Sequence, residues 1–308
     1  MTVPASRLGH APADPAAARP AGSVPAVSAA LMLAVLLLGQ FMCVVDVFVV
    51  NVAMPSIGTG LHASGASLQL VVGGFTIAYA MLLITGARLG DRCGRRRVYL
   101  IGVITFTFAS LACALAPDSR VLVAFRLVQG AGAALLIPQV FSLIQLQFSG
   151  QARARALSAY AAVLSAGAVA GLVLGGLLVS ANLFGTGWRP VFGVNVPIGI
   201  ALTWLVPRLV PAGEPRGSGP THRYEAGQTR RLDLTGLLIA AAAVLLIVLP
   251  LVLGPEAGWP PWSWGCLAAG VILGAVFVLA ERSVAAGPPT HRACLRPRCS
   301  SASCSAWP

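Results

Sequence analysis

The sequence has no lysine and little charge of either sign: nine acidic residues and 21 arginines make up 10% of its 308 positions. A soluble domain carries about 25% charged residues, so too little charge is present to coat a water-facing surface, and a soluble enzyme is excluded. The net charge of +12 is no nucleic-acid footprint unless the arginines share one surface, so no nucleic-acid partner is inferred. The seven cysteines include no C-x-x-C pair, so neither a disulfide framework nor a zinc site is indicated. Cys43, Cys113 and Cys266 lie in apolar runs, where a thiol behaves as a small hydrophobe. A metal site built from His291, Cys294, Cys299 and Cys304 is not expected, and no cofactor is expected. Residues 1–27, rich in Ala and Pro, lack the basic start and cleavage site of a signal peptide and read as a disordered tail.

What the sequence has in abundance is apolar length, with 57% hydrophobic residues and a mean hydropathy of +0.83. A helix crossing the hydrocarbon needs about 20 apolar residues. Eight such stretches fall at about 29–54, 69–87, 98–116, 121–146, 156–180, 191–210, 235–254 and 263–281. Turn-rich breaks separate them, among them 55–65 and 90–97. The runs do not alternate apolar and polar residues, which excludes a transmembrane β-barrel. The fold class is all-α: a polytopic membrane protein with six spans over 28–210, a cytoplasmic linker over 211–232, two further spans over 233–281 and a tail over 282–308. With the amino terminus inside, 18 arginines fall on the cytoplasmic side, two (Arg120 and Arg189) outside, and Arg126 within a span. Both termini are then cytoplasmic, in a cell membrane.

Two formal charges lie well inside the spans, Asp46 in the first and Arg126 in the fourth. A charge near a helix centre costs about 2.5–3.5 kcal/mol on insertion scales, so each must face the bundle interior and have a partner. Both sit in the outer half of the membrane at nearly the same depth. Gln129, three residues beyond Arg126 on the same helix face, comes level with Asp46. The three side chains are candidates for a polar cluster lining a transport cavity; a structural ion pair that fixes helix packing is the alternative.

The segment joining spans two and three contains Gly90, Asp91, Arg92, Gly94, Arg95 and Arg96, with two glycines that permit a tight turn and a carboxylate among guanidinium groups. It resembles the cytoplasmic signature of the major facilitator superfamily, G-x-L-a-D-r-x-G-r-k, with Ala87 where that signature begins with Gly. The fourth span, Leu122-x-x-x-Arg126-x-x-Gln129-Gly130-x-Gly132-Ala133-Ala134, resembles the superfamily's second signature. Gly167, Gly171, Gly175 and Gly176 in the fifth span form a smooth face for helix packing. That face resembles the antiporter signature g-x-x-x-G-P-x-x-G-G, with Leu172 in place of its Pro. Two further strings, from Asp46 to Pro55 and from Trp188 to Pro197, are similar to those of drug:proton antiporters with fourteen spans.

The resemblance covers about residues 28–282 and implies a transporter that exports drugs or lipophilic metabolites in exchange for protons. It lends Arg126 a part in proton coupling and the Asp91 loop a part in gating at the cytoplasmic side. The implied partners are the lipid bilayer, a small lipophilic substrate and protons. Such transporters rock two six-helix halves about a site between them. The 308 residues hold only the first half and the two extra spans, so the expectation is a truncated form that does not alternate access alone. Its missing face would be supplied by a C-terminal half or by self-association. A non-transporting membrane scaffold or partner subunit is the competing function. The tail 282–308, rich in Arg, Pro, Ser and Cys, also matches GC-rich DNA read out of frame.

Overall fold

The computed structural model describes residues 26–182, 185–211, 234–255 and 258–285. The expected tail before residue 26, nearly all of the linker, and the segment after residue 285 with its His and Cys cluster lie outside the described residues. Those described form helices and no strand. In order they are α1 (Ala26–Leu61), α2 (Gly65–Cys93), α3 (Arg95–Ala114), α4 (Ser119–Gln147), α5 (Gly150–Ala181), α6 (Pro190–Gly193), α7 (Asn195–Leu209), α8 (Leu234–Leu253) and α9 (Pro261–Ala285). Among the described residues, seven helical segments are long and apolar enough to cross a membrane, counting α6 and α7 as one, and α8 adds an apolar helix of 20 residues.

The helices depart from the expected spans in three places. α1 passes straight through Pro55 to Leu61, although Pro removes an N–H and usually ends or kinks a helix. Here residue 51, whose carbonyl loses its partner, and Pro55 are both exposed, and Thr59 Oγ1 donates to the Pro55 carbonyl at 3.2 Å. The expected turn at 90–97 shrinks to one residue. α2 runs through Gly90, Asp91 and Arg92 to Cys93, Gly94 turns the chain at a φ of 91°, and α3 begins at Arg95. Only glycine takes that φ without strain. The sixth span divides at Val194, because Pro197 has no N–H to offer the Gly193 carbonyl one turn back. That break leaves Asn195 at the first position of α7.

In lipid no hydrophobic force draws helices together, so close approach of small residues does. α5 lies along α1 through its glycines: a Cβ on Gly171 would fall 2.7 Å from Phe48 Cβ and 2.9 Å from the Val45 carbonyl oxygen. Gly167 and Gly175 sit against Val44 and Val49 in the same way. Gly176 does not belong to this stripe. Nothing lies within 4 Å of a Cβ built there, because one residue further on the helix turns about 100° away from Gly175. The backbones of α3 and α4 meet at Gly102 and Gly132, and α4 meets α2 at Gly130. α8 and α9 form a hairpin in which Gly270 faces Ile247, and α8 packs Val252 against Gly73 of α2. The Trp259 and Trp264 rings at the hairpin's turn stand 5.5 Å apart, the amphipathic side chains that favour a membrane–water boundary.

The six-span bundle holds two apolar cores stacked along its length. One gathers Met42, Tyr99, Phe106, Leu136 and Leu202; the other gathers Val49, Val71, Cys113, Leu122 and Phe192. On α1, α3, α4 and the α6–α7 pair the chain passes from one core to the other, and a buried polar residue marks each crossing: Asp46, Ser110, Arg126 and Asn195.

Candidate functional site

These crossings converge on one network. Arg126 donates from Nη1 to Asp46 Oδ2 at 2.5 Å and to Gln129 Oε1 at 2.7 Å, and from Nε to the Val71 carbonyl at 2.9 Å. Gln129 Nε2 donates to Asp46 Oδ1 and to Ser110 Oγ, both at 2.8 Å. Asn195 Nδ2 donates to Asp46 Oδ1 at 2.8 Å and reaches Ser110 Oγ at 3.5 Å. Asp46 thus accepts from three side chains on two helices other than its own. The guanidinium lies 4.6 Å from the Phe75 ring centroid and 5.8 Å from that of Phe192, so each ring's negative face adds to its solvation.

The structure therefore brings Asp46, Arg126 and Gln129 together, as their depths and spacing require. None of the five side chains is more than 1% exposed, so the cluster is enclosed within the bundle and does not open onto a cavity here. Charges in such a place demand near-complete hydrogen bonding, because each unpaired one costs several kcal/mol. The arrangement can hold one negative and one positive charge out of water.

Two members of the network, Ser110 and Asn195, escaped the sequence. A hydroxyl in an apolar run is usually satisfied by its own helix, and Ser110 does donate to the Phe106 carbonyl at 2.8 Å. Asn195 does carry a sequence signal: it is an amide inside the sixth span, three residues after Phe192.

The junction between α2 and α3 forms a second, separate place. Asp91 Oδ1 and Arg95 Nη2 pair at 2.6 Å, one helical turn apart across Gly94. Asp91 is 51% exposed and Arg95 14%. Gly90 and Gly86 lie against α4, where Gln139 Nε2 donates to the Gly86 carbonyl at 2.8 Å. A cavity of about 380 Å³ opens beside the pair, lined by Asp91, Arg95, Ser142, Gln145 and Arg153 among others. Arg92 and Arg96 flank Gly94 on the last turn of α2 and the first of α3. At the opposite end of α3, Arg189 Nη1 donates to the Ala114 carbonyl at 2.9 Å and so closes the helix end.

Comparison with known proteins agrees with this architecture. The probable actinorhodin transporter of Streptomyces coelicolor is 37% identical over 79% of this chain and 40% of its own length. The cephamycin export protein CmcT of Amycolatopsis lactamdurans is 39% identical over 81% of this chain and 49% of its own. The methylenomycin A resistance protein of Bacillus subtilis is 35% identical over 80% and 50% respectively. The chain thus spans 40 to 50% of the length of these relatives. Among solved structures, a bacterial homolog of the human lysosomal transporter Spinster, inward-facing and occupied, superposes with a TM-score of 0.55 at 25% identity, over 75% of this chain and 53% of that one. The peptide transporter POT in complex with sulfate gives 0.54 at 19% identity, over 82% and 52%, a likeness of fold alone. The family model described as Major Facilitator Superfamily matches residues 36–287, which takes in both the buried network and the α2–α3 junction. The chain is a polytopic membrane protein that belongs to the Major Facilitator Superfamily.

Proposed function

We propose that this chain is part of a proton-coupled exporter of drugs or lipophilic metabolites, in which Asp46 takes up and releases the coupling proton. The observation that carries the proposal is the Asp46–Arg126 pair, the one place inside the described bundle where a carboxylate and a guanidinium meet out of water. Ionised Asp46 ties α1 to α4 through Arg126 and to α7 through Asn195. A proton on the carboxyl removes its charge and with it the main attraction to Arg126, which keeps the Val71 carbonyl, Gln129 and the Phe75 face. The helix contacts around the network then differ between two protonation states, and that is what a rocking transporter needs to link proton movement to its own motion.

The names of the three relatives support this substrate class: they handle, or protect against, actinorhodin, cephamycin and methylenomycin A. We place the α2–α3 junction on the cytoplasmic side of the cell membrane, supported by the run of arginines there, with Gly90, Asp91, Arg92, Gly94, Arg95 and Arg96 as a gating segment. Gly167, Gly171 and Gly175 hold α5 to α1.

A second reading, in which the network only locks helix packing, rests on the complete burial of its members. Everted vesicles with this chain joined to a second six-helix half separate the two. Acidifying the lumen should drive uptake of a fluorescent lipophilic cation, and a protonophore should abolish it. Uptake indifferent to the protonophore contradicts proton coupling.

A further inference from the structure

We infer that Asn195 is the positioning residue that follows the protonation state of Asp46, reversing its side-chain amide so that it donates to the carboxylate and accepts from the carboxylic acid. This rests on Asp46 being the proton-binding group proposed above.

Asn195 Oδ1 is buried and has no hydrogen-bond partner, while Nδ2 of the same amide donates to Asp46 Oδ1 at 2.8 Å. A buried acceptor without a donor is unfavourable, and native interiors rarely keep one. The orientation is dictated by charge: turning Oδ1 towards an ionised carboxylate would set two acceptors face to face.

Protonation of Asp46 inverts that requirement, because a carboxyl O–H needs an acceptor. Oδ2 is a poor place for the proton, since Arg126 Nη1 points a donor at it from 2.5 Å. Oδ1 receives two amide donors, from Gln129 and from Asn195. Gln129 is held: its Oε1 accepts from Arg126 Nη1 at 2.7 Å, and reversing that amide would point N–H at N–H. Asn195 is held less: its Oδ1 has no bond to lose, and its Nδ2 has only those to Asp46 Oδ1 and, at 3.5 Å, to Ser110 Oγ. A half-turn about its terminal side-chain torsion, which is soft for an amide, brings Oδ1 to the proton on Asp46 Oδ1. The turn gives up the donation to the carboxylate and the long contact to Ser110 at 3.5 Å. The proton stays on Asp46, and no other bond is made or broken.

The other groups around this pair do not compete. From α3 comes Cys113, whose Sγ lies 3.9 Å from Gln129 Oε1, and from α1 comes Cys43, one turn before Asp46. α4 contributes Arg126. Among the described residues, α2 offers the Val71 carbonyl, already taken by Arg126, and the Phe75 ring, and α6 the Phe192 ring. Asn195 itself stands at the break before α7, so the hydrogen bond that changes partner is one that anchors α7 to α1.

Infrared difference spectroscopy of the chain in lipid, acid minus neutral, tests this. A carboxylic acid band that Asp46→Asn removes marks protonated Asp46. In Asn195→Leu and Asn195→Ala, both without an acceptor, that band should move to higher wavenumber, towards an unbonded acid. In the unaltered protein with 13C-labelled asparagine, an amide carbonyl band should fall on acidification as Oδ1 gains a donor, a measurement that needs no folded variant. An Asp46 band at the same position in both variants, or a labelled carbonyl band that does not move, overturns this inference and leaves the proton-coupling reading standing. No Asp46-dependent band at any accessible pH overturns both.

Discussion

Arg126 Nη1 stands 2.5 Å from Asp46 Oδ2, joining α4 to α1 across 80 residues of chain with both side chains buried. A pair so enclosed is weak evidence for stability, since desolvation offsets much of the attraction; breaking it from one side is another matter.

Arg126→Ala leaves a buried carboxylate facing no cation and should lower stability by about 3–5 kcal/mol. Arg126→Met combined with Asp46→Leu removes both charges at similar volume and should recover part of that loss, the remainder being the acceptor that Gln129 and Asn195 lose. Thermal unfolding of the purified proteins in detergent reads both, and a double variant no more stable than Arg126→Ala would show that the loss is not electrostatic.

Gly171→Ala should destabilise the α1–α5 contact by about 1–3 kcal/mol, the usual range for overpacking, because its Cβ would fall 2.7 Å from Phe48 Cβ. Gly176→Ala has open space and should leave the unfolding temperature unchanged. Equal effects at the two positions would contradict the packing described.

The Asp91–Arg95 pair is largely solvent-exposed on its acidic side, and such pairs contribute under about 0.5 kcal/mol. Asp91→Asn should therefore leave thermal stability nearly untouched while reducing transport at least tenfold, if the junction gates. Normal transport in that variant removes the gating role.

Cysteine accessibility checks the orientation. Ser119→Cys, at the start of α4, should react with an impermeant maleimide from outside intact cells. Native Cys93, exposed beside Gly94, should react only in inverted vesicles. Labelling of both from one side would break the alternation of spans.

Asp46 and Arg126 were legible in the sequence because a charge in an apolar run has few places to go. Gln129 followed from helix geometry, three residues on. Ser110 was not legible, because a hydroxyl in a span is commonly satisfied at home; the Asn195 amide was visible as a polar residue in a span, but only the convergence of α1, α3, α4 and α7 shows where these two point. The span count was readable from apolar length, but helix ends were not. Pro55 and the Gly90–Arg97 string carry turn-forming residues, yet α1 tolerates Pro where the freed carbonyl is exposed, and the α2–α3 junction needs one positive φ, at Gly94. The packing stripe was visible as a four-residue glycine repeat, and Gly176 was drawn into it by adjacency, although a helix turns it away.

Gradient-driven transport set beside substrate exchange at zero gradient tests most directly whether Asp46 carries the coupling proton. Asp46→Asn keeps the shape of the side chain, exchanges one acceptor oxygen for a donor, and cannot bind and release a proton. With the chain joined to a second six-helix half in vesicles, this variant should lose gradient-driven accumulation at least tenfold and retain exchange, and Asp46→Glu should retain part of both. Undiminished proton-driven accumulation in Asp46→Asn would contradict the account.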